Sequence, residues 1–389
     1  MFSRRTDWPL APNAFTRALE QVRASGKEIL DLTVSNPTEA GVQLDPRVVL
    51  GALTNPDAMR YEPQPLGLLE ARKAMCQYYR ESHDISDLDP QRLVLTTSTS
   101  EAYSYVFRLL CNPGDEILVP KPSYPLFEFL AELSDVKLVP YPLIYDHGWQ
   151  IDFDSLYKAA TSLTRAVILV HPNNPTGSYV STEEKSALNS FCSSHDLALI
   201  VDEVFLDYAH DGTPRPSFVS NRDALTFTLS GLSKISALPQ MKLAWVATSG
   251  PSELVAHAGA RLEIIADTFL SMNAPVQLAA TVLLDQRKQV QPVLLDRVHL
   301  NLCELDRQLA ATPSCTRLNV EGGWYAVVRV PALRSDENLA IDLLRREGVV
   351  THPGHFYDFP NDGYLVLSLI TEPGVFREGI NRMLRMIGN

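Results

Sequence analysis

Short apolar runs alternate with amphipathic stretches through the middle of this chain. The runs at 93–97, 116–120, 136–140, 165–171, 197–201, 225–229 and 243–248 are bounded mostly by Gly, Pro, Asn, Asp or Ser. That pattern predicts buried strands. The segments 100–111, 126–133 and 183–195 place apolar residues at helical spacing between them. Strands apolar on both sides, alternating with helices, predict a mainly parallel sheet covered on both faces. The expected fold is α/β, with a large domain built on a seven-stranded, mainly parallel sheet.

The two ends read differently. Residues 13–25 predict a helix capped by Asn13, striped by Phe15, Leu19 and Val22 and stopped by Gly26. Residues 251–267 predict another, and 275–310 one long helix leaving the large domain. Beyond Pro313, a strand or hairpin at 320–330, a helix at 338–347, strands at 349–352 and 364–370 and a final helix at 375–386 predict a smaller α+β domain. The N-terminal segment joins it in this reading. The division is 47–284 for the large domain, and 1–46 with 285–389 for the small one.

Composition narrows the function classes. With 389 residues, 45% of them hydrophobic, the chain buries a sizeable core. A formal charge of −12 argues against a general nucleic-acid or anionic-membrane surface, though not against one local basic pocket. Five widely spaced cysteines predict free thiols in a reducing compartment. Asp7, Pro9 and Pro12 leave no apolar core for a signal peptide, and the longest apolar runs are strand-sized. A cytoplasmic protein with no membrane partner is expected. Nine histidines without ligand spacing predict no metal site.

Four polar clusters fall at the carboxyl ends of predicted strands, where open parallel sheets bind ligands. Thr96 to Ser100 follows the first strand and opens a helix, so Thr97, Ser98 and Thr99 suit either a phosphate or an ordinary helix cap. His171-Pro172-Asn173-Asn174-Pro175-Thr176-Gly177 follows the fourth; Asn174 either donates to a ligand oxygen or makes a turn. Asp202-Glu203 follows the fifth, and Asp202 needs a cationic partner, whether a protonated pyridine or a structural arginine. Ser230-Gly231-Leu232-Ser233-Lys234 follows the sixth. A lysine partly desolvated at such an exit loses some preference for charge, and its amine condenses with aldehydes. Taken alone it is also an ordinary loop lysine. Tyr124, in Pro122-Ser123-Tyr124-Pro125, stacks on a flat ring or is a half-buried loop tyrosine.

In this order the motifs resemble those of the class I/II aminotransferases, pyridoxal-phosphate enzymes of the aspartate-aminotransferase fold, from about Asn36 to Ser368. Gly231 to Lys234 resembles the family's lysine signature, Asn174-Pro175-Thr176-Gly177 its asparagine motif, and Asp202-Glu203-Val204 its pyridine-aspartate motif. The resemblance implies that Lys234 is the covalent tether and proton shuttle. It implies that Asp202 pairs with the ring nitrogen, Asn174 contacts the ring oxygen and Tyr124 lies on the ring face. Ser98, Thr99, Ser230, Ser233 and Lys242 are implied to hold the phosphate with Tyr61 of the partner subunit, so a homodimer with shared sites is expected. The implied reaction is amino transfer between an amino acid and a 2-oxo acid.

Three positions depart from the family pattern. Lys242 replaces an arginine, keeping the charge without the bidentate fork. Phe205 replaces a tyrosine that donates to the ring oxygen. Val366 replaces the arginine that clamps the substrate carboxylate, and 364–370 contains no arginine at all. Ser35, Asn174, Trp324, His355 and Tyr357 remain as substrate candidates, the last three at the pocket mouth. These departures leave room for a lyase, a cyclising eliminase or a decarboxylase on the same cofactor. A cofactor-binding protein without turnover is the rival from outside enzymology.

Overall fold

The computed structural model describes residues 1–388. The chain begins with a capped helix, Ala14–Ala24, whose Asn13 side chain accepts the Thr16 N–H at 2.7 Å. A two-residue strand follows, β1 (Leu30–Asp31). The large sheet comes next. Its strands are β2 (Leu93–Thr96), β3 (Glu116–Lys121), β4 (Lys137–Tyr145), β5 (Trp149–Ile151), β6 (Thr164–Val170), β7 (Ala198–Asp202), β8 (Thr226–Gly231) and β9 (Ala244–Ser249).

Their spatial order is β2-β9-β8-β7-β6-β3-β4-β5. The five strands from β8 to β4 run parallel, and β9 runs antiparallel between β2 and β8. All seven expected strands are present. The eighth is β5, which folds back on β4 through the turn at Asp146 to Gly148. It is too short to show an alternating pattern. The strand expected to end at Pro140 continues through Pro142 to Tyr145.

One consequence of the order positions the site. Because β9 alone is reversed within this part of the sheet, the carboxyl ends of β2, β6, β7 and β8 and the amino end of β9 share one edge. Lys242, just before β9, therefore reaches the same edge as Lys234, just after β8.

The smaller sheet has β10 (Thr316–Arg317) and β11 (Tyr325–Arg329); β12 (Val349–Val350) pairs with β1 instead, and β13 (His352–Pro353) and β14 (Tyr364–Ser368) complete it in the order β10-β11-β14-β13. The N-terminal segment thus joins the C-terminal unit by strand pairing. The helix expected over 275–310 is three: Ala274–Leu278, Ala280–Asp285 and Arg287–Leu309. Side chains take carbonyls at the second break. Gln286 donates to the Val282 oxygen at 2.9 Å and Arg287 to that of Leu284 at 3.1 Å.

Separate apolar cores lie on the two faces of the large sheet. A further core joins the last helices and the small sheet to Phe205, Tyr208 and Ala237. Among the described residues no helix is long and apolar enough to cross a membrane. None form a cluster of three or more His, Cys, Asp or Glu suited to a metal.

Candidate active site

The shared sheet edge brings four of the expected groups together. β7 ends on Asp202, which is buried. Its Oδ1 accepts the Val204 N–H at 3.1 Å and its Oδ2 the Tyr103 hydroxyl at 3.2 Å. Burial raises this carboxyl from its ordinary 3.8 to about 6, opposed by those two donors and by Lys234.

β8 exits through Ser230 and Gly231 into the short helix Leu232–Ile235, which carries Lys234. The glycine lets β9 pass, since a Cβ at Gly231 would sit 2.8 Å from that of Ala244. Tyr208 fixes the turn by donating its hydroxyl to the Lys234 carbonyl at 2.7 Å. Lys234 Nζ lies 4.8 Å from the centre of the Trp324 ring and 5.4 Å from that of Phe205. These rings strip water from the amine. Burial lowers it to about 8, with Asp202 pulling the other way.

Asn174 follows β6 in a loop closed by Gly177. At φ +70° that position favours glycine, and a Cβ there would lie 2.5 Å from the Gly322 oxygen. The neighbouring Asn173 holds the loop, donating to the Pro122 carbonyl at 3.1 Å and to Thr176 Oγ1 at 2.9 Å. Asn174 is buried, and its Oδ1 has no hydrogen-bond partner among the described residues. The same holds for the buried Ser230 Oγ and Trp324 Nε1. Native interiors seldom leave such atoms unpaired without a use for them.

At β2, Ser98 caps the helix Thr99–Leu110, its Oγ accepting the Glu101 N–H at 3.2 Å. The Glu101 carboxylate takes the Thr97 N–H at 2.6 Å. The N–H groups at the helix start have no partners within the helix, as at any helix N-terminus. Ser233 is half-buried and Lys242 exposed in a left-handed turn, φ +52°. Tyr124 is 38% exposed. Tyr61 is 81% exposed on a loop lining another cavity of about 560 Å³, whose walls include Tyr105 and Ser271 but not Lys234.

The substrate side differs from expectation in two respects: Trp324 and Tyr357, both expected at the mouth, are buried. Trp324 is not at the mouth; it is fully buried, edge-on to Phe205 and Tyr208 at 5.1 and 5.0 Å. Gly322-Gly323 turns the chain so that the indole points down under Lys234, while the next residue, Tyr325, starts β11. His355 is exposed, and Tyr357 is buried against His352, whose Nδ1 is 3.0 Å from its hydroxyl.

Val366 sits mid-strand, paired with Val327 on one side and His352 on the other, and is 1% exposed among Leu318, Tyr357 and Phe359. The β11 residues on that face are Tyr325, Val327 and Arg329. Tyr325 is 6.2 Å from Phe205, ring to ring, and interacts with Ser35. Arg329 stands exposed at the far end, roughly 13 Å along the strand.

Tyr103 and Tyr208 escaped the motif reading, and Tyr325 entered it only as the end of the segment Gly322-Gly323-Trp324-Tyr325. Only Tyr103 left a signal: it lies one helical turn past Thr99, on the side facing the sheet.

A family model described as "Aminotransferase class I and II" matches residues 27–373. The chain is 27% identical over 380 residues to the glutamate-pyruvate aminotransferase AlaA of Haemophilus influenzae, covering 95% of this chain and 93% of that one. It is 29% identical over 366 residues to an alanine aminotransferase of Mycobacterium bovis, covering 91% and 83%. Among solved structures, an alanine aminotransferase from Pyrococcus furiosus superposes with a TM-score of 0.88 at 22% identity, covering 100% and 99%.

Proposed function

The chain belongs to the class I and II aminotransferases, and from that premise we propose that it uses pyridoxal 5'-phosphate to move an amino group between an amino acid and a 2-oxo acid, with Lys234 as tether and proton carrier. The observation that carries this is the Lys234 amine, lowered to about 8 over two aromatic rings and sharing one sheet edge with the buried Asp202. The residues fit the cofactor. Ser230 Oγ is buried without a partner among the described residues, as expected of a hydroxyl that donates to a ligand rich in oxygen.

When bound, pyridoxal phosphate supplies an aldehyde for amines and a protonated ring nitrogen that draws electrons from the reacting carbon. Asp202 holds the charge of that nitrogen. Asn174 meets the ring oxygen, and Tyr124 covers a face of the ring. Ser98, Thr99, Ser230, Ser233 and Lys242 hold the phosphate at the start of the helix, with Tyr61 of the partner subunit. Lys234 Nζ, partly neutral near pH 8, accepts the proton from the substrate's α-carbon. The buried indole of Trp324 and the ring of Phe205 form the floor that excludes water.

Ser35 and Asn174 face the substrate in this reading, and His355 lies at the mouth. With Val366 in the wall, neutral donors rather than a guanidinium meet the carboxylate. The names of the relatives make alanine or glutamate, with pyruvate as acceptor, the first substrates to try. The exposed Tyr61 supports a homodimer with shared sites, and five free thiols support a cytoplasmic setting. The pairing of β1 with β12 supports the domain division at 47–284 against 1–46 with 285–389.

A half-reaction tests the proposal. Alanine or glutamate, added without acceptor, is expected to convert the bound cofactor to its amine form and release one 2-oxo acid per site. Release of ammonia in place of that stoichiometric product contradicts it.

A further inference from the structure

We propose that Tyr103 is a positioning residue for Asp202, its hydroxyl holding the carboxylate as an anion aimed at the ring nitrogen of the cofactor; this rests on the pyridoxal-phosphate reading above. Tyr103 belongs to no motif of the sequence, and its only side-chain polar atom is spent on Asp202.

The ring is fixed before the hydroxyl is considered. Tyr103 packs edge-on against Phe127 at 5.3 Å and tilted against Phe107 at 5.8 Å, and it is buried. A ring so held leaves its Oη one direction to reach, and Asp202 Oδ2 lies there at 3.2 Å. Burial, with Asp202 adding to it, keeps the phenol well above its ordinary range, so it remains a donor at any working pH.

The carboxylate has few other friends. Val204 supplies one backbone N–H to Oδ1. The titratable groups around it are Tyr103 from the helix Thr99–Leu110, Lys234 from the β8 exit and Tyr124 from the loop before Phe127. Glu203, next in sequence, turns away to the Ser217 hydroxyl and the Phe218 N–H, both at 2.6 Å. Each Asp202 oxygen thus has one protein donor and keeps acceptor capacity for a ligand. With burial already pushing the acid up to about 6, loss of the hydroxyl leaves more of it protonated near neutrality, and a neutral acid does not balance a pyridinium. The same helix whose first residues face the phosphate therefore also sets the opposite end of the ring.

Tyr103→Phe removes one oxygen and keeps the ring packing, so the fold should survive. Three measurements follow on wild type and variant. Equilibrium binding of pyridoxal phosphate is expected to weaken about tenfold at pH 6.5, the scale of a hydrogen bond to a charged group, and the deficit to shrink toward pH 8.5 as the acid ionises anyway. Binding of the 1-deaza analogue, with carbon in place of the ring nitrogen, is expected to be unchanged. In an Asp202→Asn background, Tyr103→Phe is expected to add little, because the two act as a unit.

Equal weakening for both cofactors at every pH marks a packing role and overturns the proposal. So does a variant that binds pyridoxal phosphate as tightly as wild type. Wild-type protein that takes up no pyridoxal phosphate overturns the cofactor reading and this proposal together.

Discussion

The two sheets present opposite materials around Lys234 and around Val366. The large-sheet side is polar and charged, and its groups are held by backbone. Asp202 ends a strand, Ser230 is the last residue but one of the next, and Lys234 follows within one turn. The small-sheet side around Val366 is a packed wall of Val327, Leu318, Tyr357 and Phe359, edged by His352 and Tyr325. Groups fixed by strand ends cannot move without moving the sheet. Side chains on the facing wall are exchangeable one at a time. On the function proposed above, the reaction belongs to the first side and the choice of substrate to the second.

Lys234→Ala breaks the polar side most severely. Steady-state turnover is expected to fall roughly 10²- to 10⁴-fold, the range of a lost proton carrier. The fold, measured by thermal unfolding, should be unchanged.

Asp202→Asn, unlike Lys234→Ala, changes stability. The folded-state carboxyl is raised from 3.8 to about 6, so ionising it weakens the cofactor-free fold. The penalty is absent below pH 4 and complete above about pH 6, and amounts to roughly 3 kcal/mol at most. Urea unfolding of the cofactor-free proteins should show the variant gaining up to that amount at pH 8 and nothing at pH 4. Its affinity for the cofactor should nevertheless drop.

The wall responds differently. Val366→Ala is expected to cost roughly 1–2 kcal/mol of stability through the void it leaves, with cofactor affinity unchanged. A loss of cofactor affinity equal to that of Asp202→Asn would erase the distinction between the two sides. The smallest effect joins them. Phe205 lies beneath Lys234 and beside Tyr325, and on the function proposed above Phe205→Tyr would add a donor toward the ring oxygen. The pH midpoint of the bound cofactor's absorbance should fall by about one unit; an unmoved midpoint means that position 205 does not reach the ring.

The same division explains what the sequence made legible. Strand-end clusters are local in sequence, so the placement of Asp202, Asn174, Ser230 and Lys234 just at or past strand ends was readable along with the strands themselves, though not the order of those strands in the sheet. The antiparallel β9 was not, because strand direction leaves no trace in a buried apolar run, and only its reversal explains how Lys242 reaches the edge. Trp324 looked like a mouth residue because Gly322-Gly323-Trp324-Tyr325 resembles a family segment at the pocket mouth; burial of the indole depends on Phe205 and Tyr208, more than a hundred residues earlier. Tyr103 sits in an amphipathic helix where a tyrosine reads as core, and its hydroxyl gains meaning only through a strand 99 residues away.

Borohydride reduction of the pyridoxal-phosphate-loaded protein, followed by peptide mass mapping, tests the central claim most directly. The expected result is one label per chain, on the peptide containing Lys234. A label on Lys242 or any other amine, or no label, contradicts it.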